Sequence, residues 1–136
     1  MLVDERGVPL SIVVTGANRH DVSQLELVLD EIIIPRPENI EQNLCADKGY
    51  AGEPAQQIIK ARYYIPHVRQ RREEMQEKRE NPSYKARRWV VEVSHSWFNR
   101  FRKLLVRYEK YTDTYMALLH MAAAIIAFRK IGVIYG

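Results

Sequence analysis

The stretch from Asn43 to Gly52, NLCADKGYAG, carries the first side chain that could do chemistry. Asp47 follows a short apolar run and stands just before Gly49, which is typical of a strand that ends in a turn. A carboxylate at the carboxyl end of a strand in an α/β sheet can bind a metal ion, because ligand sites collect at that edge. A turn with two solvated charges, Asp47 and Lys48, explains the same residues without any chemistry.

Composition limits the class of protein to one ordinary globular domain. The 136 residues are 46% hydrophobic and 28% charged, which is enough for a core and unlike a disordered chain. The single cysteine, Cys45, excludes an internal disulfide, and we expect it to be a small buried residue in a reducing cytoplasm. No secretory signal opens the chain. The longest apolar run, from Met116 to Phe128, is shorter than the roughly 20 residues that span a bilayer and predicts a buried helix.

The elements that must position Asp47 follow an α/β order of strand, strand, helix, strand, helix, strand, helix, helix. Hydrophobic periodicity and turn residues predict strands at Leu2–Asp4, Pro9–Thr15, Asn43–Asp47 and Tyr63–Val68. The predicted helices start at Asp21 or Ser23, run from about Gly52 to Arg62 and from Tyr84 to about Tyr108, and start again at Thr112 or Thr114 and run to about Lys130.

The long third helix carries a second carboxylate, Glu92. Its apolar residues recur every three or four positions, which predicts a stripe that packs on the protein, formed by Trp89, Val93, Trp97, Phe101, Leu104 and Tyr108. Glu92 falls on another side of this helix, four residues after Arg88. Taken alone, these two residues are better explained as an ordinary ion pair between successive turns.

Charge is distributed unevenly, although the net charge is only +4. Residues 1–59 hold four Lys/Arg against ten Asp/Glu, whereas residues 60–110 hold fifteen against six. An acidic first part and a basic middle indicate a polyanionic partner, with nucleic acid as the leading candidate. A solvated helix face with paired charges is the alternative for residues 73–80, EEMQEKRE.

Three separated segments resemble the DDE transposases of bacterial insertion sequences, most of all the insertion-sequence-five-like group. They read TGANRHD, ADKGYAG and RWVVEVSHSWFNRFRKLLVRYEKYTDTYMALLHMAAAIIAFRK, and they follow one order over nearly the whole chain. The resemblance implies an RNase H-like mixed sheet with flanking helices and two Mg²⁺ or Mn²⁺ ions. It implies cleavage and joining of DNA strands at transposon ends and target, without a membrane, in the bacterial cytoplasm near the nucleoid.

Carried over by motif, the resemblance assigns both carboxylates a role. Asp47, in its Asp-x-Gly-Tyr setting, matches the second catalytic acid of the family, and Glu92, in its Arg-Trp-x-Val-Glu setting, matches the third. Both are therefore expected to bind the metal ions. Two ions about 3.5–4 Å apart activate the attacking oxygen and stabilise the leaving one, and carboxylate oxygens suit Mg²⁺ or Mn²⁺.

The resemblance also assigns basic residues to DNA. Arg88 matches the signature arginine, four residues before the catalytic glutamate. The signature tyrosine falls on Lys85 and the signature lysine on Asn99, so that Lys103, one turn later, is expected to substitute. The other basic residues expected at DNA phosphates are Arg69, Arg71, Arg72, Arg87 and Arg100.

The first catalytic acid of the family lies on the central strand of the sheet, which would precede the hairpin that starts at Leu2. We therefore expect residues 1–136 to be a partial catalytic domain that lacks its first, central strand. Asp4 is no replacement, because it lies near the hairpin turn. A partner could supply the strand, the hairpin could close against Asn43–Asp47, or the fragment could be only marginally stable.

The expected function is that of the C-terminal part of a transposase, inactive alone. A frameshifted second reading frame and a remnant of a decayed element both fit this expectation. The alternative is a non-enzymatic module that binds DNA, the upstream transposase fragment or the full-length transposase. A metal-dependent nuclease of the same fold is a third interpretation.

Overall fold

A computed structural model describes residues 1–16, 19–68, 76, 79–80 and 89–135, with backbone alone at 21 and 132–135. It is a mixed α/β structure, as the sequence predicts. Its elements are β1 (Leu2–Val3), β2 (Pro9–Ser11), α1 (Asp21–Asp30), β3 (Gln42–Ala46), a 3-10 helix (Lys48–Tyr50), α2 (Glu53–Ala61), β4 (Tyr64–Val68), α3 (Trp89–Phe98), α4 (Arg102–Leu105) and α5 (Thr112–Tyr135).

The described strands form two separate two-stranded sheets. β1 and β2 pair antiparallel around a turn, and β3 and β4 pair parallel, with Asn43 beside Ile65 and Cys45 beside His67. Among these strands, the hairpin does not pair with β3. The possibility that the hairpin closes against β3 is therefore wrong, and the second edge of β3 lacks a partner among the described strands.

A first hydrophobic core lies between β3 and the two helices that follow the hairpin. Leu44 of β3 packs with Leu25 and Leu29 of α1 and with Ala55 and Ile59 of α2, all of them buried. These residues recur every three or four positions on each helix, which is why one face of each is apolar. The core holds the parallel sheet against α1 and α2 and so positions the carboxyl end of β3.

Arg62 joins the ends of α1 and α2 beside this core. Its guanidinium donates hydrogen bonds to Asp30 at 2.8 Å and to Glu26 at 3.0 Å. The hydrogen bond from Arg62 lowers the pKa of Asp30. Since both acids are exposed, this ion-pair cluster orients the two helices more than it stabilises the fold.

A second hydrophobic core lies between α3, α5 and the hairpin. Phe98 packs with Leu119, Ala122 and Ile126 of α5, and the half-buried Trp97 lies at its margin. The hairpin is attached to α3 at Gly7, whose carbonyl oxygen accepts a 2.8 Å hydrogen bond from the buried Ser94 hydroxyl.

The long third helix of the sequence prediction is interrupted, and its buried face is shifted. α3 ends at Phe98, the chain turns at Phe101, and α4 starts at Arg102. Beyond this break, the half-buried Phe101 and Leu104 pack on the second core. The buried residues of α3 are Val90, Ser94 and Phe98, whereas two members of the predicted stripe, Trp89 and Tyr108, are exposed.

α5 is longer and less buried than predicted. It runs from Thr112 to Tyr135, and residues Thr112–Ile131 are long and apolar enough to cross a membrane by length and composition. Only 17% of the 18-residue apolar stretch within this span is buried. The prediction of a buried helix is wrong for the outer face of α5, because the second core covers one side only.

Tyr63 has an uncommon backbone conformation just after α2, and it predicts a stabilising substitution. Its φ is 61°, the left-handed region in which glycine normally ends a helix. Relief of the backbone strain in Tyr63→Gly should raise the free energy of unfolding by about 1 kcal/mol. Loss of the stacking of Arg36 on the Tyr63 ring should reduce this gain by about 0.5 kcal/mol. Thermal unfolding measures it, with Tyr108→Gly as the control because Tyr108 is equally exposed but has no positive φ. A melting temperature that falls equally in both variants would contradict this account.

Candidate active site

Asp47 lies directly after β3, at the carboxyl end of the parallel sheet. It is exposed, and it is the N-cap of the 3-10 helix, where its Oδ1 accepts a 2.7 Å hydrogen bond from the backbone N–H of Lys48. This hydrogen bond orients the carboxylate at the strand end without burying it. The position has both features of the prediction, a strand-end carboxylate and a charged turn.

The face of the β3–β4 sheet that bears Asn43 and Cys45 is exposed. Both residues are exposed, and the Asn43 Oδ1 lies 2.7 Å from the His67 Nε2 on the neighbouring strand. The prediction that Cys45 is buried is wrong, because the residues on either side of it, Leu44 and Ala46, pack in the first core and Cys45 lies on the other face. The sequence analysis also missed the pairing of Asn43 with His67, since its only signal is the parallel register of two distant strands.

Glu92 lies in the first turn of α3 and is exposed. Two residues further on, the buried Ser94 donates to Gly7 O and to Val90 O, at 2.8 and 3.0 Å. Ser94 therefore fixes the rotation of α3 on the hairpin, and this rotation leaves Glu92 at the surface. Arg88, the expected ion-pair partner of Glu92, lies outside the described residues.

His95 follows Glu92 by three residues on the same helix. Partial burial lowers the pKa of His95, and the positive charge of the chain's amino terminus adds to the effect. The lowered pKa favours the neutral form of this imidazole.

The two carboxylates lie on elements that pack in different cores. β3 contributes Leu44 to the first core, whereas α3 contributes Phe98 to the second. A shared metal cluster of Asp47 and Glu92 stays a prediction. In the described part of the chain, no three His, Cys, Asp or Glu side chains are grouped closely enough to hold a metal ion.

Of the seven basic residues expected at DNA, two are described. Arg100 lies in the turn after α3 and Lys103 lies on α4, and both are exposed. Lys103 is expected to substitute because it would lie one turn after Asn99 on a continuous helix. That geometry is wrong, because the helix is interrupted between Phe98 and Arg102. The other five, Arg69, Arg71, Arg72, Arg87 and Arg88, lie outside the described residues.

A shallow depression of about 470 Å³ lies at the opposite end of the parallel sheet. Its lining includes Glu41, Tyr63 and Tyr64, at the amino ends of β3 and β4. Asp47 lies at the carboxyl end of β3 and is not among the residues that line this depression. The depression is therefore separate from the candidate catalytic carboxylate.

Comparison with known proteins identifies the family of this chain. The profile of a family described as "Transposase DDE domain" matches residues 44–129, a segment that contains both Asp47 and Glu92. A protein of Burkholderia cepacia that is named as a transposase for the insertion sequence element IS402 is 30% identical over 136 residues.

The alignment covers 96% of this chain and 62% of the Burkholderia protein, so the chain spans less than two thirds of that relative's length. No solved structure gives a significant match. The family match covers more than half of the chain and extends from β3 to α5, including both candidate carboxylates. The chain therefore belongs to the family of transposase DDE domains.

Proposed function

We propose that this chain is the C-terminal part of the catalytic domain of a DNA transposase, which cleaves and joins DNA strands at the ends of an insertion sequence. The observation that carries the proposal is the placement of Asp47, an exposed carboxylate at the carboxyl end of a parallel strand within the family-matched segment. That edge is where ligand sites collect in α/β sheets.

Asp47 and Glu92 would provide two of the carboxylates that hold Mg²⁺ or Mn²⁺. Both are exposed oxygen ligands of the kind that these hard cations prefer. The bound ions would supply Lewis-acid activation of the attacking oxygen and stabilisation of the leaving one. The chain's own contribution is positional: the backbone N–H of Lys48 orients Asp47, and the Ser94 hydrogen bond to the hairpin sets the face that α3 presents.

The division of the described strands into two separate sheets supports the proposal that the catalytic domain is partial. An RNase H-like sheet would place its central strand between the β1–β2 hairpin and β3, and in the described part of the chain no strand occupies that position. The first catalytic aspartate would come with the missing strand, from a separate upstream polypeptide or from a longer chain. Alone, residues 1–136 would therefore hold too few carboxylates to bind both metal ions in the catalytic arrangement.

The proposal implies DNA as the substrate and a bacterial cytoplasmic location at the nucleoid. A non-enzymatic module that binds DNA or the full-length transposase is the second candidate. In such a module, the edge of β3 that pairs with no other described strand would recruit a strand of the full-length transposase, because unpaired strand edges recruit strands from other chains.

Incubation with insertion-sequence-end DNA and Mn²⁺ distinguishes the two candidates. The purified chain alone should give no strand transfer, and addition of a polypeptide that supplies the aspartate-bearing strand should restore cleavage. Sequence-specific nicking by the chain alone that disappears in Glu92→Ala would contradict the partial-domain proposal. Binding of the added polypeptide without any cleavage would favour the regulator.

DNA binding by the chain alone should be weak, independent of sequence and strongly dependent on salt. Basic residues such as Arg100 and Lys103 would neutralise phosphates and release counterions, so that log K falls by about 0.9 per neutralised phosphate for each log unit of salt. Fluorescence anisotropy at several salt concentrations measures the slope. Lys103→Gln should reduce the slope by about one phosphate equivalent, whereas an affinity that does not change with salt would refute phosphate binding.

A further inference from the structure

The outer face of α5 is an exposed apolar strip. Met121 is 63% exposed, Phe128 is 78% exposed and Ile131 is 52% exposed, although all three are large apolar side chains. The opposite face of the same helix, with Leu119 and Ala122, is buried in the second core. α5 is thus apolar on both sides, a pattern typical of a helix that is covered on both sides.

The exposed residues follow a heptad spacing. The strip consists of positions separated by three, four, three, four and three residues, all exposed: Thr114, Ala117, Met121, Ala124, Phe128 and Ile131. This is the spacing of the a and d positions of a two-stranded coiled coil, at which the side chains of one helix pack between those of another. We call these six residues the α5 seam.

We propose that the α5 seam is a homodimer interface, in which it packs antiparallel against the α5 seam of a second copy of this chain. In one register, the six positions pair among themselves: Thr114 with Ile131, Ala117 with Phe128, and Met121 with Ala124. Each layer then joins one small and one large side chain, so that all layers have similar volume. A parallel pair would instead stack Phe128 on Phe128 and Ala124 on Ala124, which alternates crowded and empty layers.

The antiparallel pairing also satisfies the symmetry of a two-fold dimer. Every position contacts a position within the same set, so the interface is self-complementary. No Asp, Glu, Lys or Arg lies between Thr114 and Phe128, so like charges do not oppose each other across the seam. A different partner would need a seam of its own with the complementary order of small and large residues.

A protein partner fits α5 better than a lipid bilayer does. The span Thr112–Ile131 is long enough to cross a membrane, but Leu119, Ala122 and Ile126 are packed with Phe98 in the second core. Insertion would require this core to open, because lipid would have to surround the whole helix. Pairing of the seam covers the exposed face and leaves the core intact.

The size of the seam predicts a weak dimer. From Thr114 to Ile131 the helix extends about 25 Å, which covers on the order of 400 Å² per copy. A standard stable interface covers about 800 Å² per partner. We therefore expect a dissociation constant in the micromolar range, on the order of 1–100 μM.

Sedimentation velocity of the intact chain from about 1 to 200 μM tests the proposal. The wild type should change from monomer to dimer over this range. Phe128→Glu should raise the dissociation constant by at least about tenfold, since the new carboxylate of each copy would be buried against Ala117 of the other copy. Ile33→Glu is the matched control, because Ile33 is 83% exposed but lies outside the seam, and it should leave the dimer unchanged.

Cross-linking tests the register and the direction. In a Cys45→Ser background, Thr114→Cys mixed with Ile131→Cys should form an intermolecular disulfide. Neither variant alone should do so, because in the antiparallel pair two copies of residue 114 are about 25 Å apart. Efficient disulfide formation by each variant alone would mean a parallel pair and would overturn the proposal.

Two further outcomes would also overturn it. One is a chain that stays monomeric at 200 μM, or a dimer that is equally strong in Phe128→Glu and in Ile33→Glu. The other is flotation of the wild type, but not of Phe128→Glu, with phosphatidylcholine vesicles, which would assign the strip to lipid. Circular dichroism of both variants checks that they are folded, and it should show no loss because both side chains are exposed.

Discussion

Asp47→Asn and Glu92→Gln should each reduce Mn²⁺-dependent strand cleavage by about 100-fold or more, when the chain is supplied with the aspartate-bearing strand that our proposal requires. Loss of an outer partner of a metal ligand already costs about 10–100-fold, and these two substitutions would remove ligands themselves. Each replaces a carboxylate with an amide of nearly the same shape, so the fold should not change. DNA binding should not weaken, because each variant keeps every positive charge and loses one negative charge.

Cleavage of a labelled insertion-sequence end and anisotropy with the same DNA give the two measurements. Glu41→Gln is the matched control, since Glu41 is an exposed carboxylate directly before the opposite end of β3. If Asp47→Asn and Glu92→Gln retain the activity of Glu41→Gln, the two carboxylates do not bind the catalytic ions. If only one of them loses activity, the shared metal cluster is wrong and the other acid is an ordinary surface residue.

Gly7→Ala should lower the free energy of unfolding by about 2–5 kcal/mol, a large part of the stability of a domain of this size. Gly7 is buried with φ at +84°, a conformation that costs other residues about 1–2 kcal/mol. A Cβ atom there would lie 2.8 Å from the Ser94 Oγ and 3.1 Å from the Trp97 ring. Overpacking of this kind costs a further 1–3 kcal/mol or so.

Chemical denaturation of four variants, including Gly7→Ala alone, separates strain from packing. Trp97→Ala removes a large side chain from the margin of the second core and should cost about 3 kcal/mol. Arg100→Ala, at an exposed turn, should change the stability by about 0.5 kcal/mol or less. Gly7→Ala in the Trp97→Ala background should cost less than in the wild type, because the ring that the new methyl group meets is gone. Equal costs in both backgrounds would mean that the new methyl group does not meet the Trp97 ring.

Local patterns in the sequence determined the class of fold, most of the elements and the candidate acid Asp47. The hairpin, α2 and β4 were predicted near their observed positions, because glycine and proline turns and short apolar runs specify them through neighbouring residues. Asp47 was found in the same way, from an apolar run followed by a glycine turn, and the family match includes it. The role of Glu92 depended on the resemblance, since its local sequence is equally that of an ion pair.

Tertiary contacts decided which faces are buried. Ser94 lies at the centre of the buried face of α3 because the Gly7 carbonyl, 87 positions away, accepts its hydrogen bond, and no helical periodicity contains that information. The predicted long helix is broken after Phe98, and the half-buried Phe101 and Leu104 beyond the break still pack on the second core. β3 and α5 read as buried elements in the sequence, yet each is covered on one face only, which exposes Cys45 on β3 and Phe128 on α5. An apolar sequence specifies that a surface should be covered, whereas the arrangement of distant segments determines whether this chain covers it alone.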